Sequence, residues 1–334
     1  MKVFITGIAG FLGSQVALEL LAQGHQVAGC DTLIGGYLDN VPQDAEFHQV
    51  DCQFLNTMKK LTAGCDVVIH AACAAYEGLS MFSPHLVTQN TVQISSTVFT
   101  ACASNKIRRV INCSSMARYG RQSVLPFHEG LTPNPVDPYG IAKVAAEKIL
   151  EVLASVHGFE FVNLVPHNII GPHQKYDDPY RNVASIMINL MLRGKQPIIY
   201  GDGKQKRCFS DIRDVVPCFV RALTAGTNET INVGPDEEFV SILELAEIIA
   251  ETVGFKKLDP VFVDARPGEI KLASCSAEKS RRLLGYETRH TLRDSVKNLA
   301  AWIEERGPRK FRYHLDVEIR STRCPKTWTE QLFQ

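Results

Sequence analysis

The stretch VFITGIAGFLG, residues 3–13, decides the fold. Its first four residues predict a buried β-strand, and a helix should follow to about Leu21. The glycines between them form a GxxGxxG pattern: Gly7 permits a tight turn, Gly10 lets backbone N–H groups approach a pyrophosphate, and Gly13 lets helix and strand pack closely. Phe11 and Leu12 lie between the last two glycines and are counted with them. We therefore expect a dinucleotide-binding turn here.

The next strand carries the second part of this prediction. Residues 25–30 should form a buried strand, and it ends in Asp31. An acidic residue at this distance from the glycines can bind the adenosine ribose hydroxyls. Its charge would repel a 2′-phosphate, so NAD is preferred over NADP. The alternative interpretation, a turn residue that closes a strand, is the weaker one beside the glycine pattern.

Strands and helices go on alternating through the first half. Residues 47–50, 66–69 and 109–113 predict strands, and residues 84–103 predict a helix. The strands end in small or polar residues, which belong at the carboxyl edge of a parallel sheet, where ligands bind. The predicted fold class is α/β: a doubly wound parallel sheet (Rossmann) with a second, smaller α/β substrate domain. Ser114 and Ser115 follow the 109–113 strand and should face the cofactor.

A second stretch, DPYGIAK at residues 137–143, is where we place the chemistry. Asp137 is a good N-cap and Pro138 suits the first helical position. Tyr139 and Lys143 are four residues apart, so both lie on one face of the helix. The ammonium and the positive end of the helix dipole should lower the pKa of the phenol toward neutrality, which suits a proton-transfer group. A surface Tyr and Lys that merely share a helix face is the alternative.

Composition excludes several function classes. Lys and Arg number 36, as do Asp and Glu, so no electrostatic case exists for nucleic acid or an anionic membrane. No apolar run is long enough to span a bilayer. The ten cysteines show no metal-ligand spacing, so no metal is expected. Their scatter through apolar runs fits a reduced, cytoplasmic setting, and the chain runs from Met1 into the glycine motif without a signal peptide.

These motifs, in this order and spacing, resemble the extended short-chain dehydrogenase/reductase family over about residues 1–305. Within that family the sequence is similar to the NAD-dependent nucleotide-sugar epimerases and dehydratases. The resemblance implies Ser115, Tyr139 and Lys143 as catalytic residues, with Lys143 also binding the nicotinamide ribose. It further implies that the cofactor is held by a set of side chains and backbone groups: Gly7, Gly10, Phe11, Leu12, Gly13, Asp31, Asp51, Cys52, Ala71, Ala72, Asn90, Tyr139 and Lys143.

The second half resembles the family's substrate-binding motifs. Asn168 stands where the family has an Asn at the phosphate-sugar portion, and Arg207 and Arg266 stand where it has diphosphate-binding arginines. Glu269 matches the acid that meets the nucleotide ribose. Two guanidinium groups suit a diphosphate, because each can give paired charge-assisted hydrogen bonds. The predicted partner is a UDP-sugar, and surface ion pairs are the alternative for these arginines.

Residues near the serines decide which reaction is predicted. The dehydratases and decarboxylases of the family carry an acid just after the catalytic Ser/Thr, whereas Met116 and Ala117 cannot move a proton here. We therefore predict C4 epimerisation, in which a 4-keto sugar turns over and takes the hydride back on its other face. Ala273 stands where the hexose-restricted epimerases have Tyr, which predicts room for a 2-N-acetyl group.

Three alternatives remain open at this stage. A UDP-hexuronate would be the substrate if Arg118, Lys175 or Arg181 met a carboxylate, although solvated charges are the simpler interpretation. A 4-keto-sugar reductase would consume NAD(P)H, and Asn182 stands where those enzymes have a His. A dinucleotide-sensing protein without catalysis is the third, and the intact Ser115, Tyr139 and Lys143 set argues against it.

The domain prediction follows chain order. Residues 1–171 with a return segment at 207–234 should form the NAD-binding domain, and residues 172–206 and 235–310 the sugar-nucleotide domain. Residues 311–334 are a C-terminal extension, in which residues 311–319 partly alternate and predict a strand, while Trp328 and Phe333 should dock on the body. The resemblance also implies a homodimer through helices at about 84–103 and 139–156.

Overall fold

Short apolar runs, many of them rich in Val and Ile, form the strands. The computed structural model describes residues 1–237 and 239–334. Numbered in chain order, the strands are β1 (Lys2–Thr6), β2 (Gln26–Asp31), β3 (Glu46–Gln49), β4 (Val67–His70), β5 (Arg109–Cys113), β6 (Glu160–Pro166), β7 (Ile169–Ile170), β8 (Ile198–Tyr200), β9 (Lys206–Arg207), β10 (Ser210–Asp211), β11 (Glu229–Val233), β12 (Val240–Ser241), β13 (Val261–Val263) and β14 (Leu272–Ala273).

The helices connect these strands. They are α1 (Phe11–Ala22), α2 (Leu55–Leu61), α3 (Glu77–Ser80), α4 (Pro84–Thr88), α5 (Ile94–Ser104), α6 (Pro138–His157), α7 (Val183–Leu192), α8 (Ile212–Arg221), α9 (Ile242–Thr252), α10 (Glu278–Leu284), α11 (Leu292–Arg306) and α12 (Lys326–Thr329). Five of those described, α6, α7, α8, α9 and α11, begin at a side-chain cap. A π-helical turn at Gln89–Gln93 joins α4 to α5, and Asn90 within it has non-helical backbone angles (φ -84°, ψ 19°), so the helix predicted over 84–103 is kinked there.

Helix α6 begins as its sequence predicts. The Asp137 carboxylate accepts a hydrogen bond from the Gly140 N–H at 2.8 Å, and Pro138 occupies the first turn. Gly158 ends the helix in the left-handed conformation, at φ 72°. This cap fixes the register of α6 and therefore places Tyr139 and Lys143 one turn apart at its amino end.

The large sheet of the described residues has seven strands in the order β11-β6-β5-β4-β1-β2-β3, all parallel. Chain order reverses between β1 and β4, because β1 pairs with β2 on one side and with β4 on the other. Open α/β sheets bind ligands at this reversal, outside the carboxyl ends of the strands. The predicted doubly wound α/β class is confirmed.

Helices cover both faces of the sheet. One apolar core lies between the sheet and α1, α8 and α10, and the other lies between the sheet and α2, α5 and α6. Ile5 and Val68 are fully buried on opposite faces. Each such side chain contributes about 1.5–3 kcal/mol of burial free energy. All ten cysteines lie in described residues and are free thiols.

A second core lies beyond the carboxyl edge of the sheet. It is built from α7, α9 and α11, with Met187, Leu245 and Leu299 fully or almost fully buried among them. The small sheets β12-β9-β14 and β13-β8 border it. Within residues 1–237 and 239–334, no helix combines the length and apolar character needed to cross a membrane.

The C-terminal extension differs from the prediction. Residues 311–334, all described, contain no strand, so the strand predicted over 311–319 is wrong. Single hydrogen bonds to separate elements hold the segment instead, for example Arg312 N to Asp177 O and Ile319 N to Phe82 O, both 2.8 Å. Docking of Trp328 and Phe333 is confirmed, because both side chains are buried.

Candidate active site

One cavity of about 490 Å³ lies at the carboxyl edge of the large sheet and extends toward the second core. With one exception, every residue to which the family resemblance gave a role in cofactor binding, catalysis or substrate binding lines it. The sequence motifs are far apart in the chain, and the fold brings them to one enclosed space. The roles predicted for the individual residues stay predictions.

The glycine turn closes one end of the cavity. A Cβ on Gly13 would lie 2.2 Å from the Gly7 carbonyl oxygen, and one on Gly7 would lie 2.8 Å from the Ala72 nitrogen. A Cβ on Gly10 would meet only the Gly7 oxygen, at 3.1 Å. Helix α1 starts directly after this turn, and no side chain in the described part of the chain caps its first N–H groups. These donors and the helix dipole suit a pyrophosphate.

Asp31 stands at the end of β2 beside this turn. Its carboxylate accepts hydrogen bonds from Ala9 N at 3.1 Å and Leu33 N at 2.8 Å. Burial raises the pKa of Asp31, while these N–H donors oppose the shift. The side chain is thus held in place at the cavity wall with lone pairs to spare for ribose hydroxyls. Asp51, Cys52, Ala71, Ala72 and Asn90 line the same end.

The predicted catalytic residues meet at the middle of the cavity. Ser115 hydrogen-bonds Tyr139, and its Oγ also accepts from Ala117 N at 3.2 Å. The Lys143 Nζ lies 5.7 Å from the centroid of the Tyr139 ring and donates to the Cys113 carbonyl oxygen at 2.7 Å. The end of β5 therefore fixes the ammonium, and α6 fixes the phenol beside it.

The net pKa shift of Tyr139 corrects the sequence-based expectation. Burial raises the pKa of Tyr139 above its ordinary value, and the Lys143 charge and the Ser115 hydrogen bond lower it only in part. The sequence showed the Lys143 charge but not the depth of burial, which disfavours a phenolate. In this structure the phenol is therefore protonated at neutral pH.

A buried ion pair lies behind these residues. Glu147, fully buried on α6, accepts two hydrogen bonds from Arg118 Nε at 3.0 and 3.1 Å and one from the Ser114 hydroxyl. Arg118 is outside the cavity wall, so it does not meet a substrate carboxylate, contrary to one alternative above. The sequence analysis missed Glu147, although its spacing of four from Lys143 places it one turn further along α6.

Two arginines lie at the far end of the cavity. Arg207 and Arg266 share one carboxylate, that of Glu269, at 4.0 and 3.4 Å. The Arg266 guanidinium stacks 4.7 Å from the centroid of the Tyr200 ring, and its Nε, although buried, has no hydrogen-bond partner among the described residues. Glu77, in the same cavity wall, is a second carboxylate near both guanidinium groups, so the charges at this end balance. The arginines still have donors that could bind a diphosphate. Asn168 lines the cavity nearby and donates to Cys208 O at 3.0 Å.

Ala273 is the exception. It lies in β14, paired with Arg207 in β9, and packs with Tyr119, Phe127 and Cys275 outside the cavity wall. Its methyl group therefore does not bound the space for a sugar substituent. The prediction of room for an N-acetyl group loses its structural basis, because strand pairing turns this position toward another core.

The two other cations considered for a carboxylate do line the cavity. Arg181 bonds Asp178 and the Tyr76 hydroxyl, each at 3.4 Å, and lies 4.4 Å from the Tyr76 ring centroid. Lys175 stacks 4.7 Å from the Tyr37 ring centroid, with Asp177 at 4.0 Å. Both cations thus have protein partners.

Three residues of the C-terminal extension complete the wall: Leu315, Trp328 and Phe333. The sequence analysis expected Trp328 and Phe333 to dock but gave them no place in the site. Only their aromatic character signalled burial, and nothing local in the chain indicated which surface they would cover.

A family model described as the NAD dependent epimerase/dehydratase family matches residues 3–234. The chain is 31% identical to a UDP-glucose 4-epimerase of Mycolicibacterium smegmatis, over 89% of this chain and 96% of that one. It is similar to the crystal structure of a Thermotoga maritima UDP-glucose 4-epimerase with UDP-glucose. The TM-score is 0.86 and the identity 28%, and the match covers 92% of this chain and 99% of that one. The chain is also similar to the crystal structure of a Bacillus cereus UDP-glucuronic acid 4-epimerase in complex with UDP-glucuronic acid and NAD. The TM-score is 0.84 and the identity 29%, and the match covers 92% of this chain and 100% of that one.

Proposed function

Since the chain belongs to the NAD dependent epimerase/dehydratase family, we propose that it is a UDP-sugar 4-epimerase that retains NAD through its cycle. The proposed substrate is a UDP-hexose or UDP-N-acetylhexosamine. The observation that carries the proposal is the single cavity in which Tyr139, Lys143 and Ser115 lie between the glycine turn and the paired arginines Arg207 and Arg266.

The cavity fits the cofactor. The uncapped start of α1, the absence of a Cβ at Gly10 and the carboxylate of Asp31 together suit a dinucleotide without a 2′-phosphate. NAD supplies a reversible acceptor for the hydride from the sugar carbon. Tyr139 and Lys143, at the middle of the same cavity, then lie where a reacting sugar has to be.

The chain's own residues carry the proton. The phenolate form of Tyr139, a minor species at neutral pH, takes the proton of the C4 hydroxyl and returns it after the sugar has turned over, and Ser115 hydrogen-bonds the same oxygen. Lys143 stays protonated and stabilises the phenolate through its charge. The arginines hold the diphosphate while the sugar moves. Met116 and Ala117 offer no acid for elimination directly after Ser115, which favours reduction of the 4-keto state again.

A second substrate class has one observation in its favour. Arg181 and Lys175 line the cavity, so a UDP-hexuronate carboxylate would find cations there. Both cations are already paired with Asp178 and Asp177, which makes a neutral sugar the first choice. Because Ala273 lies outside the cavity wall, the proposal that a 2-N-acetyl group fits is supported only by the volume of the whole cavity.

The test needs no added cofactor. Purified protein is incubated with UDP-glucose, UDP-galactose, their 2-N-acetyl counterparts and UDP-glucuronate, and products are identified by NMR. We expect a mixture of C4 epimers from at least one of them. Product formation only with stoichiometric NADPH or NADH would instead identify a keto-sugar reductase.

Tyr139→Phe is the matched variant. It should lose about 10²–10⁴-fold in turnover, the usual contribution of a general acid–base group, while the bound NAD co-purifies as before. An unchanged rate would contradict the role of Tyr139. A wild-type protein that binds NAD but converts none of the sugars would favour the sensor alternative.

Assembly and location are further parts of the proposal. We propose a homodimer through α6 and the α4–α5 region, because Ile141, Val152 and Val156 on α6 are exposed apolar side chains. The domain division at 1–171 with 207–234, the cytoplasmic location and the absence of a nucleic-acid partner stay predictions from the sequence.

A further inference from the structure

The C-terminal extension lies across the cavity from one core to the other. On the side of the large sheet, the Glu318 carboxylate accepts hydrogen bonds from His85 N and Leu86 N at 3.0 and 2.8 Å. On the side of the second core, Trp328 Nε1 donates to Pro179 O at 3.2 Å, and Arg193 donates to Phe333 O at 3.1 Å. The extension is thus anchored at both ends, with Leu315 and Trp328 facing the space between.

Trp328 lines the cavity and has neighbours at both of its functional centres. Its ring belongs to the same apolar cluster as the ring of Tyr139. A Cβ placed on Gly78 would be 3.6 Å from Trp328 Cη2 and 3.0 Å from Arg266 Nη1, so Trp328 is also a neighbour of the arginine assigned to the diphosphate. Trp328 therefore lines the cavity near the groups assigned to both the diphosphate and the chemistry.

The extension offers carbon surface only at this place. The one polar atom of the Trp328 side chain is occupied by Pro179, and the Leu315 carbonyl is occupied by the Tyr180 hydroxyl at 3.0 Å. An aromatic face packs well against the C–H groups of a pyranose and gives no directional hydrogen bond to its hydroxyls. Such a wall holds a sugar without favouring one of its two faces.

We propose that Leu315 and Trp328 of the C-terminal extension form the apolar wall of the sugar subsite and set how well the sugar is held while it turns over. The inference rests on the proposed function for the identity of the ligand. It assigns the extension a role in sugar recognition, in addition to its structural contacts.

The test compares UDP with UDP-hexose on the full chain loaded with NAD. Trp328→Ala should weaken binding of the UDP-hexose about two- to threefold, because the side chain is only 5% exposed and offers little apolar area to the sugar, and should leave the affinity for UDP unchanged. Leu315→Ala should act in the same direction and more weakly. Ile319→Ala is the control, because the Ile319 side chain is 49% exposed in the same segment and does not line the cavity.

A second readout follows the turnover itself. With a gap in the wall, the 4-keto sugar escapes more often, and reduced nicotinamide accumulates during incubation with substrate, seen as its near-ultraviolet absorbance. A variant that is only destabilised would lose NAD and melting temperature without changing the ratio of UDP to UDP-hexose affinity.

Two outcomes overturn the inference. If Trp328→Ala loses equal affinity for UDP and for UDP-hexose, Trp328 contacts the nucleotide and not the sugar. If Trp328→Ala and Leu315→Ala both keep their affinities for the two ligands, neither residue contacts the sugar. If Trp328→Ala does not fold, Leu315→Ala decides alone. A failure of the proposed function can be told apart from these outcomes, because the wild-type protein itself would then neither bind nor convert a UDP-sugar.

Discussion

At the scale of single side chains, Tyr139 is subject to two opposing influences. Burial raises the pKa of its phenol and the Lys143 charge lowers it. Lys143→Met removes the lowering influence, so the phenolate becomes scarcer at any given pH. We expect the pKa of Tyr139 to rise by about one unit or more, so that kcat near pH 8 falls at least about tenfold. The rate should recover partly as the pH rises.

The pH profile of kcat with saturating sugar and bound NAD measures this. Lys143→Arg keeps a positive charge and should shift the basic limb less than Lys143→Met does. A profile that keeps its shape in Lys143→Met, with only its height reduced, would mean that the ammonium acts on the cofactor and leaves the phenol untouched.

Asp137 gives a prediction about stability. Burial raises its pKa to about 6, so the folded state binds this proton more tightly than the unfolded chain does. Stability therefore falls as the pH rises from about 4 through about 6. Asp137→Asn keeps a good N-cap without the buried charge and should be roughly 2–3 kcal/mol more stable at pH 8, with the difference vanishing near pH 4.

Thermal unfolding at several pH values tests this sign. Asp137→Ala is the control, since it lacks the cap as well and should lose about 1 kcal/mol relative to Asn at every pH. A lower melting temperature for Asp137→Asn at pH 8 would show that the ionised cap is favourable.

The limits of sequence reasoning at this scale follow from distance. Tyr139, Lys143 and Asp137 lie at the cap and in the first two turns of α6, so their spacing alone predicted their arrangement. The pairing of Glu147 with Arg118 joins positions 29 apart across a loop, and no local pattern encodes it. Burial of Tyr139 likewise arises from distant segments, which is why the direction of its pKa shift was wrong.

At the scale of elements, the glycine turn offers a matched pair of variants. A methyl at Gly13 would lie 2.2 Å from the Gly7 oxygen, so Gly13→Ala should unfold the turn. At Gly10 the backbone has ordinary extended angles, and the methyl would meet only one atom, at 3.1 Å. Gly10→Ala should therefore fold and lose NAD, because the methyl occupies the space the dinucleotide needs.

Co-purified NAD and the melting temperature of the NAD-free proteins separate the two effects. Gly10→Ala is expected near the wild-type melting temperature without NAD, and Gly13→Ala well below it. NAD bound at full occupancy by Gly10→Ala would show that this backbone is not the pyrophosphate contact.

Periodicity explains which elements the sequence could predict. Strands β1 to β5 lie within a residue or two of their predicted bounds. Four of them are largely buried runs, whereas β3 (Glu46–Gln49) is polar and has exposed ends. The partly alternating residues 311–319 mislead, since alternation predicts a strand only where an edge is available for pairing. Ala273 lies outside the cavity because β14 pairs with β9. Its position relative to the Arg266 motif in the sequence could not show this pairing.

At the scale of the whole molecule, one face of α6 lacks cover. Ile141, Val152 and Val156 are 56%, 62% and 71% exposed, and their spacing of eleven and four places them on one stripe. Such a stripe marks an interface. Val152→Glu should shift a dimer to monomer in light scattering after gel filtration. Leu18→Glu, at a position 42% exposed on α1, should leave the mass unchanged.

A monomeric wild-type protein at micromolar concentration would contradict this interface. If both variants dissociate the dimer, the contact lies elsewhere on the surface and α6 owes its exposed residues to another cause.

The anchoring of the C-terminal extension also has a kinetic side. The hydrogen bond from His85 N to the Glu318 carboxylate joins residues that are 233 positions apart in the chain. Contacts between such distant residues form late in folding, because closing a long loop costs chain entropy. The extension can dock only after both cores exist. A refolding chain would thus regain a competent dinucleotide groove first and its carbohydrate selectivity last, and gentle proteolysis should undo the two in the opposite sequence.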